Sequence, residues 1–252
     1  MFKEGELVFL IDLNGKKHWL RVTKSMLKIP SLGIVNGDNI INLEDGSELT
    51  IAGKKLTVFR PGTIDLIESL NRGAQIITPK DAASILFNCD IKTGDVVLEI
   101  GTGSGALTTA LISAVKPKGR VHTVELVEKN VLITLKNLKR TGLDEKWTYQ
   151  IGDARNVKVS ILADALVMDI PDPEKALENL LPCLRNGGRI CAYIPNTNQV
   201  ELIVNALRCR NFYDVFSLEI LQRKMEVHHG GVRPAYEMLG HTGYLVFGRK
   251  RS

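Results

Sequence analysis

The chain has 252 residues, 44% of them hydrophobic and 24% charged, with a net charge of +5 and a pI near 9.0. This is ordinary globular composition. No apolar run approaches the roughly 18 residues of a membrane helix, and the opening MFKEGELVFLIDLNGKK, broken by acids and a glycine, lacks a signal-peptide layout. A cytoplasmic protein of one or two domains is expected, with a charge that suits a polyanionic partner without requiring one.

Residues 1–60 consist of short strand-like runs cut by turn residues. ELVFLID and KHWLRVT flank Asn14-Gly15, a hairpin cue, and later pieces are separated by Asn36-Gly37-Asp38, Asp45-Gly46 and Ala52-Gly53. Such spacing predicts a small all-β module. Residues 61–75 begin with Pro61 and carry Gly73 near their end, the punctuation of a connecting helix.

From residue 76 to 252 the rhythm becomes strand–helix alternation. VVLEI, RVHTVEL, TYQIGD, ALVMDI and RICAYIP are β-rich runs; residues 106–115, 127–142, 173–188 and 198–212 read as helices between or after them. Alternation of this kind predicts an α/β domain with a mostly parallel, Rossmann-like sheet covered on both faces. The runs 212–228 and 242–250 have no helical pattern between them and predict an antiparallel hairpin closing that sheet.

The stretch VVLEIGTGSGALTTAL places Gly101-Thr102-Gly103-Ser104-Gly105 between a strand and a helix. Glycines allow a sharp turn and close approach of a ligand to free helix N–H groups. A dinucleotide site calls for G-x-G-x-x-G; here the third glycine comes one residue early and Glu99 stands just before the loop, which suits a cationic ligand end. A tight structural turn is the plain alternative. Glu125, Asp153 and Asp169 then close three successive strands, so that with Glu99 four acids fall at the carboxyl edge, where open α/β sheets bind ligands. Glu125 is positioned for ribose hydroxyls and Asp153 for an adenine amino group. Asp169 sits in DIPDP, whose prolines fix φ within the loop; Asp172 is the residue expected to cap the following helix.

Cys89, Cys183, Cys191 and Cys209 form no C-x-x-C pair, and the five histidines show no ligand spacing, so no metal site is expected. Residues 223–251 hold six Lys or Arg against two acids, a candidate phosphate-binding cluster with Arg72 and Lys80, or simply a solvated basic face.

The motifs EIGTGSG, VELVEKN, GDA and MDIPDP resemble those of class I S-adenosylmethionine-dependent methyltransferases. RGAQIITPKD (72–81), AYIPNTNQV (192–200) and above all RPAYEMLGHTGYL (233–245) narrow the resemblance to the TrmI-type tRNA adenine-N1 methyltransferases, over essentially the whole chain. The resemblance implies S-adenosyl-L-methionine as cofactor, adenine 58 of the tRNA T loop as target, a homotetramer and no metal. It assigns Gly101, Gly103, Ser104, Gly105, Glu125 and Asp153 to the cofactor and Asp169 to catalysis. Gln75, Glu99, Leu107, Ala154 and Asp169 itself complete the candidate cofactor set; Thr78, Lys80, Arg233 and His241 are the candidate tRNA contacts. Thr78 stands where bacterial relatives often carry an aromatic. Two other readings are a methyltransferase of small molecules or proteins, which would lack RPAYEMLGHTGYL, and a non-catalytic tRNA-binding subunit, which would lose the glycine loop.

Overall fold

The computed structural model describes residues 1–71, 73 and 76–252. It divides into two compact units, one of residues 1–69 with 140–142 and one of residues 70–139 with 143–252.

In the first unit β1 (Leu7–Asp12) and β2 (Lys17–Arg21) form the hairpin that Asn14-Gly15 predicts. Gly15 takes the φ of +80° that the turn requires, and Asp12 Oδ1 accepts from the amides of Asn14 and Lys16 at 2.9 and 3.0 Å. β3 (Met26–Ile29) pairs with β4 (Gly33–Asn36), and a helical turn, α1 (Asp38–Ile41), follows. β5 (Glu48–Ile51) and β6 (Lys54–Phe59) complete an antiparallel sheet of order β2-β1-β6-β5. Its inward positions alternate: Val8, Leu10, Leu20, Leu56 and Val58 are buried together with Ile40. The helix expected over 61–75 is shorter, α2 (Thr63–Glu68), with Ser69 as its C-cap and the Ser69 hydroxyl donating to the Leu66 carbonyl at 2.7 Å.

Along the rest of the chain come α3 (Pro79–Asn88), β7 (Val96–Ile100), α4 (Ala106–Val115), β8 (Arg120–Glu125), α5 (Glu128–Thr141) and β9 (Trp147–Ile151). They are followed by β10 (Ala163–Met168), α6 (Pro173–Leu180), β11 (Leu184–Ile194), α7 (Thr197–Cys209), β12 (Tyr213–Glu219), β13 (Met225–His228), β14 (Gly231–Pro234) and β15 (Tyr244–Arg249). The seven-stranded sheet has the order β12-β15-β11-β10-β7-β8-β9, with β15 antiparallel to both neighbours. This is the mostly parallel sheet with an antiparallel closing strand that the alternation predicts. Three local readings change. The helix expected through residue 188 stops at Leu180; Pro182 lies in a 3-10 turn, and Asn186-Gly187-Gly188 belongs to β11 beside a register shift. The run 212–228 splits, because MEVH folds back through His229-Gly230 onto β14 as a separate hairpin. Helix α3, which the periodicity leaves out, starts on Pro79 as N-terminal proline and buries Asp81, Ala82 and Ile85.

The sheet's core joins Leu98, Ile100, Leu166, Met168 and Ile190 to Leu177, Ile203 and Leu207 from the covering helices. Each such side chain contributes about 1.5–3 kcal/mol by leaving water. The strand order reverses between β10 and β7, so the loops after these two strands part and open a crevice at the carboxyl edge.

Candidate active site

The two loops flanking the crevice meet at Gly101 and Asp169. Gly101 has φ of +84°, and a Cβ added there would lie 2.3 Å from the Asp169 carbonyl oxygen. Only glycine permits this approach. Asp169 N donates to the Ile100 carbonyl at 2.8 Å and Gly101 N to that of Val124 at 2.9 Å, so both loops are pinned to strand ends. Around Gly103, by contrast, an added Cβ would meet nothing within 4 Å.

Glu125 is buried and turned toward the loop. Its Oε2 accepts from Thr102 N at 2.9 Å and Gly103 N at 3.4 Å, and its Oε1 from Val127 N at 2.8 Å. It therefore holds the glycine loop in shape as well as facing the crevice.

A cavity of about 530 Å³ opens between Gly101, Gly103, Glu125, Asp153, Ala154 and Asp169. A smaller cavity of about 20 Å³ is lined by Ile76, Ile77, Ser104 and Leu107, and again by Gly101, Gly103 and Asp169. Asp169 thus borders both. Its carboxylate is exposed to this space, yet the surrounding protein and then the Glu125 charge push its pKa up to about 6. Ser104 is only 3% exposed and its Oγ has no partner among the described residues. Asp153 is held by Arg155, whose Nη2 lies 2.6 Å away, and this hydrogen bond depresses its pKa.

Glu99 is placed differently from the expectation. It is fully buried beneath the loop and lines neither of these cavities. Thr108 Oγ1 donates to its Oε2 at 2.8 Å and Thr123 Oγ1 at 2.6 Å; Thr123 in turn accepts from Trp147 Nε1 at 2.7 Å. Burial pushes its pKa up to about 8, against the pull of these hydroxyls. A folded-state value above the ordinary 4.5 means that its stabilisation is complete below about 4.5 and is lost as pH rises through about 8. Glu99→Gln, neutral at every pH, should therefore flatten the melting temperature between about pH 5 and 8, where the wild type declines. Equal slopes in differential scanning calorimetry would contradict this.

Asp172 occupies the N-cap position of α6, but its side chain makes no cap hydrogen bond and instead pairs with Lys175 at 3.0 Å. Cap and charge partner coincide in sequence, and the ion pair is the one formed.

A third, open cavity of about 760 Å³ is walled by Thr78, Lys80, Lys224, Glu226, Tyr236, Glu237, Met238 and Leu239. Thr78 and Lys80 converge on a buried carboxylate, Asp81. Its Oδ2 accepts from Thr78 Oγ1 at 2.7 Å and Thr242 Oγ1 at 2.8 Å, and its Oδ1 from Lys80 Nζ at 2.7 Å. Lys80 also donates to Thr242 Oγ1 at 2.7 Å, and the Tyr193 hydroxyl donates to the Thr242 carbonyl. Burial and then Asp81 hold the Tyr193 pKa up to about 12. His241 contacts Glu219 at 2.6 Å and the Pro195 carbonyl at 3.1 Å, and the Glu219 bond raises its pKa. Arg233 pairs with Glu226 and stacks on Tyr236. The basic residues of 223–251 do not form one patch: Lys250 Nζ donates to the carbonyls of Leu181 and Leu184, and Arg249 lies at the opposite edge of the sheet. Gln75 and Arg72 lie outside the described residues. Among the described residues no cluster of His, Cys, Asp or Glu is placed to hold a metal ion, and no helix is long and apolar enough to cross a membrane.

The model of the family described as tRNA methyltransferase complex GCD14 subunit matches residues 66–232. The tRNA (adenine(57)-N(1)/adenine(58)-N(1))-methyltransferase TrmI of Methanocaldococcus jannaschii is 33% identical, over 95% of this chain and 93% of its own. The chain belongs to the TrmI-type tRNA adenine-N1 methyltransferase family. Another member, a TrmI of Thermus thermophilus, is 32% identical over 78% of each chain. The crystal structure of the tRNA (m1A58) methyltransferase TrmI of Aquifex aeolicus superposes with a TM-score of 0.79 at 31% identity, covering 100% of this chain and 99% of that one. A Thermotoga maritima structure described as a SAM-dependent O-methyltransferase gives 0.85 at 31% identity, covering 100% and 95%. In this TrmI-family chain the sequence-based assignments leave out Asp81, Thr242 and Tyr193. The motifs PKD and HTG carry two of them, but nothing local to either motif indicates that they meet.

Proposed function

We propose that the protein transfers a methyl group from S-adenosylmethionine to N1 of adenine 58 in the tRNA T loop. The observation that carries this is the place of Asp169: a carboxylate with no hydrogen-bond partner of its own among the described residues, bordering both cavities of the glycine loop. The residues suit the cofactor. The space beside Gly103 is open, and Ser104 Oγ is a buried hydroxyl with no partner among the described residues. Glu125, Asp153 and Ala154 would hold the nucleoside, and Ser104 with the loop amides the amino-acid end. When bound there, the cofactor supplies an electrophilic methyl group.

Adenine N1 carries an in-plane lone pair, so the protein need not remove a proton to begin transfer. Positive charge develops on the adenine ring during the reaction. Asp169, accepting from the exocyclic amino group, stabilises that charge as it appears. Pro171 and Pro173 restrict the loop that carries it. The target base must leave its intramolecular pairing to reach this carboxylate. The same reading carries an assembly of four identical subunits in the cytoplasm, which light scattering of the purified protein addresses first.

Incubation with labelled S-adenosylmethionine and an unmodified tRNA transcript, followed by nucleoside mapping, tests the activity. N1-methyladenosine at position 58 is expected, and the same map reads adenine 57. Because Asp169 near pKa 6 would also suit a base that deprotonates a hydroxyl, methylation on oxygen in the map would replace this reading.

Glu125→Ala should weaken S-adenosylhomocysteine binding by about 1–3 kcal/mol, because the ribose hydroxyls and two loop amides lose an acceptor together. An unchanged calorimetric Kd in a folded variant would leave Glu125 with loop support alone.

A further inference from the structure

We infer that Tyr236 is the stacking platform for a base flanking the target adenine, an inference that rests on the functional reading above. Tyr236 is 80% exposed and stands in the wall of the 760 Å³ cavity. Among the described residues it is the one aromatic side chain lining that cavity. The Arg233 guanidinium lies 3.8 Å from the ring centroid and covers one face, leaving the other free. Arg233 is itself held by Glu226. The backbone next to the ring is pinned, with Ala235 N donating to the Lys224 carbonyl at 2.8 Å and Arg223 Nε to the Ala235 carbonyl at 3.0 Å. A ring so exposed, braced on one face and anchored at its stem, is presented to a second planar partner.

The neighbouring groups specify that partner. Lys224 lines the cavity wall and Arg233 braces the ring, while Lys80 is paired with Asp81; Glu226, which holds Arg233, and Glu237 lie in the same wall, and Met238 and Leu239 supply exposed apolar surface. An aromatic face for a base, with Lys224 beside it for a phosphate, is the pairing that single-stranded nucleic acid takes. Consecutive residues connect the two cavities: Ile76 and Ile77 line the small cavity that Asp169 borders, while Thr78 and Lys80 line this one. A base stacked on Tyr236 is therefore placed in the cavity next along this segment from the one that Asp169 borders. Thr78, which has no ring, cannot supply this contact, and its hydroxyl is committed to Asp81.

The test uses the full-length protein, S-adenosylmethionine and an unmodified tRNA transcript under single-turnover conditions. Tyr236→Ala should raise the half-saturating tRNA concentration by about ten- to a hundred-fold, with Tyr236→Phe close to wild type and the S-adenosylhomocysteine Kd unchanged in both. Transcripts carrying one abasic site next to adenine 58 should lose affinity for the wild type at one flank only. Tyr236→Ala should lose nothing further there. A wild-type half-saturation in Tyr236→Ala overturns the inference, as does an equal loss in Tyr236→Phe, which would assign the effect to the hydroxyl. If the wild-type protein methylates no tRNA, the functional reading falls and this inference with it; loss confined to Tyr236→Ala leaves both standing.

Discussion

Asp169→Ala should lower the single-turnover methylation rate by about 10²–10³-fold while leaving cofactor affinity nearly unchanged. On the proposed reading, the ring charge that Asp169 would meet is absent from the bound adenine, grows during transfer and remains on the methylated base, so its loss falls on the transition state and not on substrate or cofactor binding. Asp169→Asn should be milder, because the amide oxygen still accepts from the amino group but brings no charge. The order wild type, Asn, Ala is the distinctive outcome. The pH profile gives a second check. With the Asp169 pKa at about 6, the carboxylate is protonated below that value, so the wild-type rate should rise through about pH 6 and level off above it. Near-wild-type rates in both variants at saturating tRNA would leave Asp169 as a loop residue.

The same pKa has a stability consequence of opposite sign. A carboxyl whose folded-state value exceeds the ordinary 3.8 contributes stability that is full below about 3.8 and is lost as pH rises through about 6. Asp169→Asn should thus melt no lower than the wild type at pH 7.5. A variant that loses rate without losing stability marks a group kept for chemistry.

Asp81→Ala should cost about 3–5 kcal/mol of folding stability, since it removes one member of a buried ion pair and strands the other. Lys80 Nζ would keep only Thr242 as a partner, and the hydroxyls of Thr78 and Thr242 would lose their common acceptor. Asp81→Asn preserves shape and part of the hydrogen bonding and should cost less. Denaturant unfolding measures both, and a loss below about 1 kcal/mol for the alanine variant would show that the lysine finds water without penalty.

The glycine loop, the strand-end acids and the parallel sheet were legible because each is a local signal: period-two runs, basic residues and glycines ending helices, and a Gly-x-Gly-x-Gly turn. Local signals also misled at Leu180, where Arg185 and Gly187 look like a helix stop but lie within β11. Glu99 reads as an acid at the lip of a strand; only the fold reveals that Thr108 and Thr123 close over it. Asp153 reads as a free acceptor, although Arg155, two residues on, claims it. The Asp81 network was out of reach for a plainer reason. Thr242 lies 161 residues away, and no periodicity carries a hydroxyl–carboxylate pairing across that distance.

The position of β15 bears on how the chain acquires its site. This strand comes last in the sheet by chain order, yet it lies inside, between β11 and β12, with Leu245, Val246 and Phe247 buried. Among the described residues β12 pairs in the sheet with β15 alone, so it must wait for a strand made after it. Non-local closure of this kind is slow, because loop entropy is lost before the contacts form. Thr242, two residues ahead of β15, reaches Asp81 only when that strand has docked. This group is therefore assembled at the final closure of the sheet, and a chain caught short of it would hold the glycine loop but could not bring Lys80, Thr242 and Asp81 together.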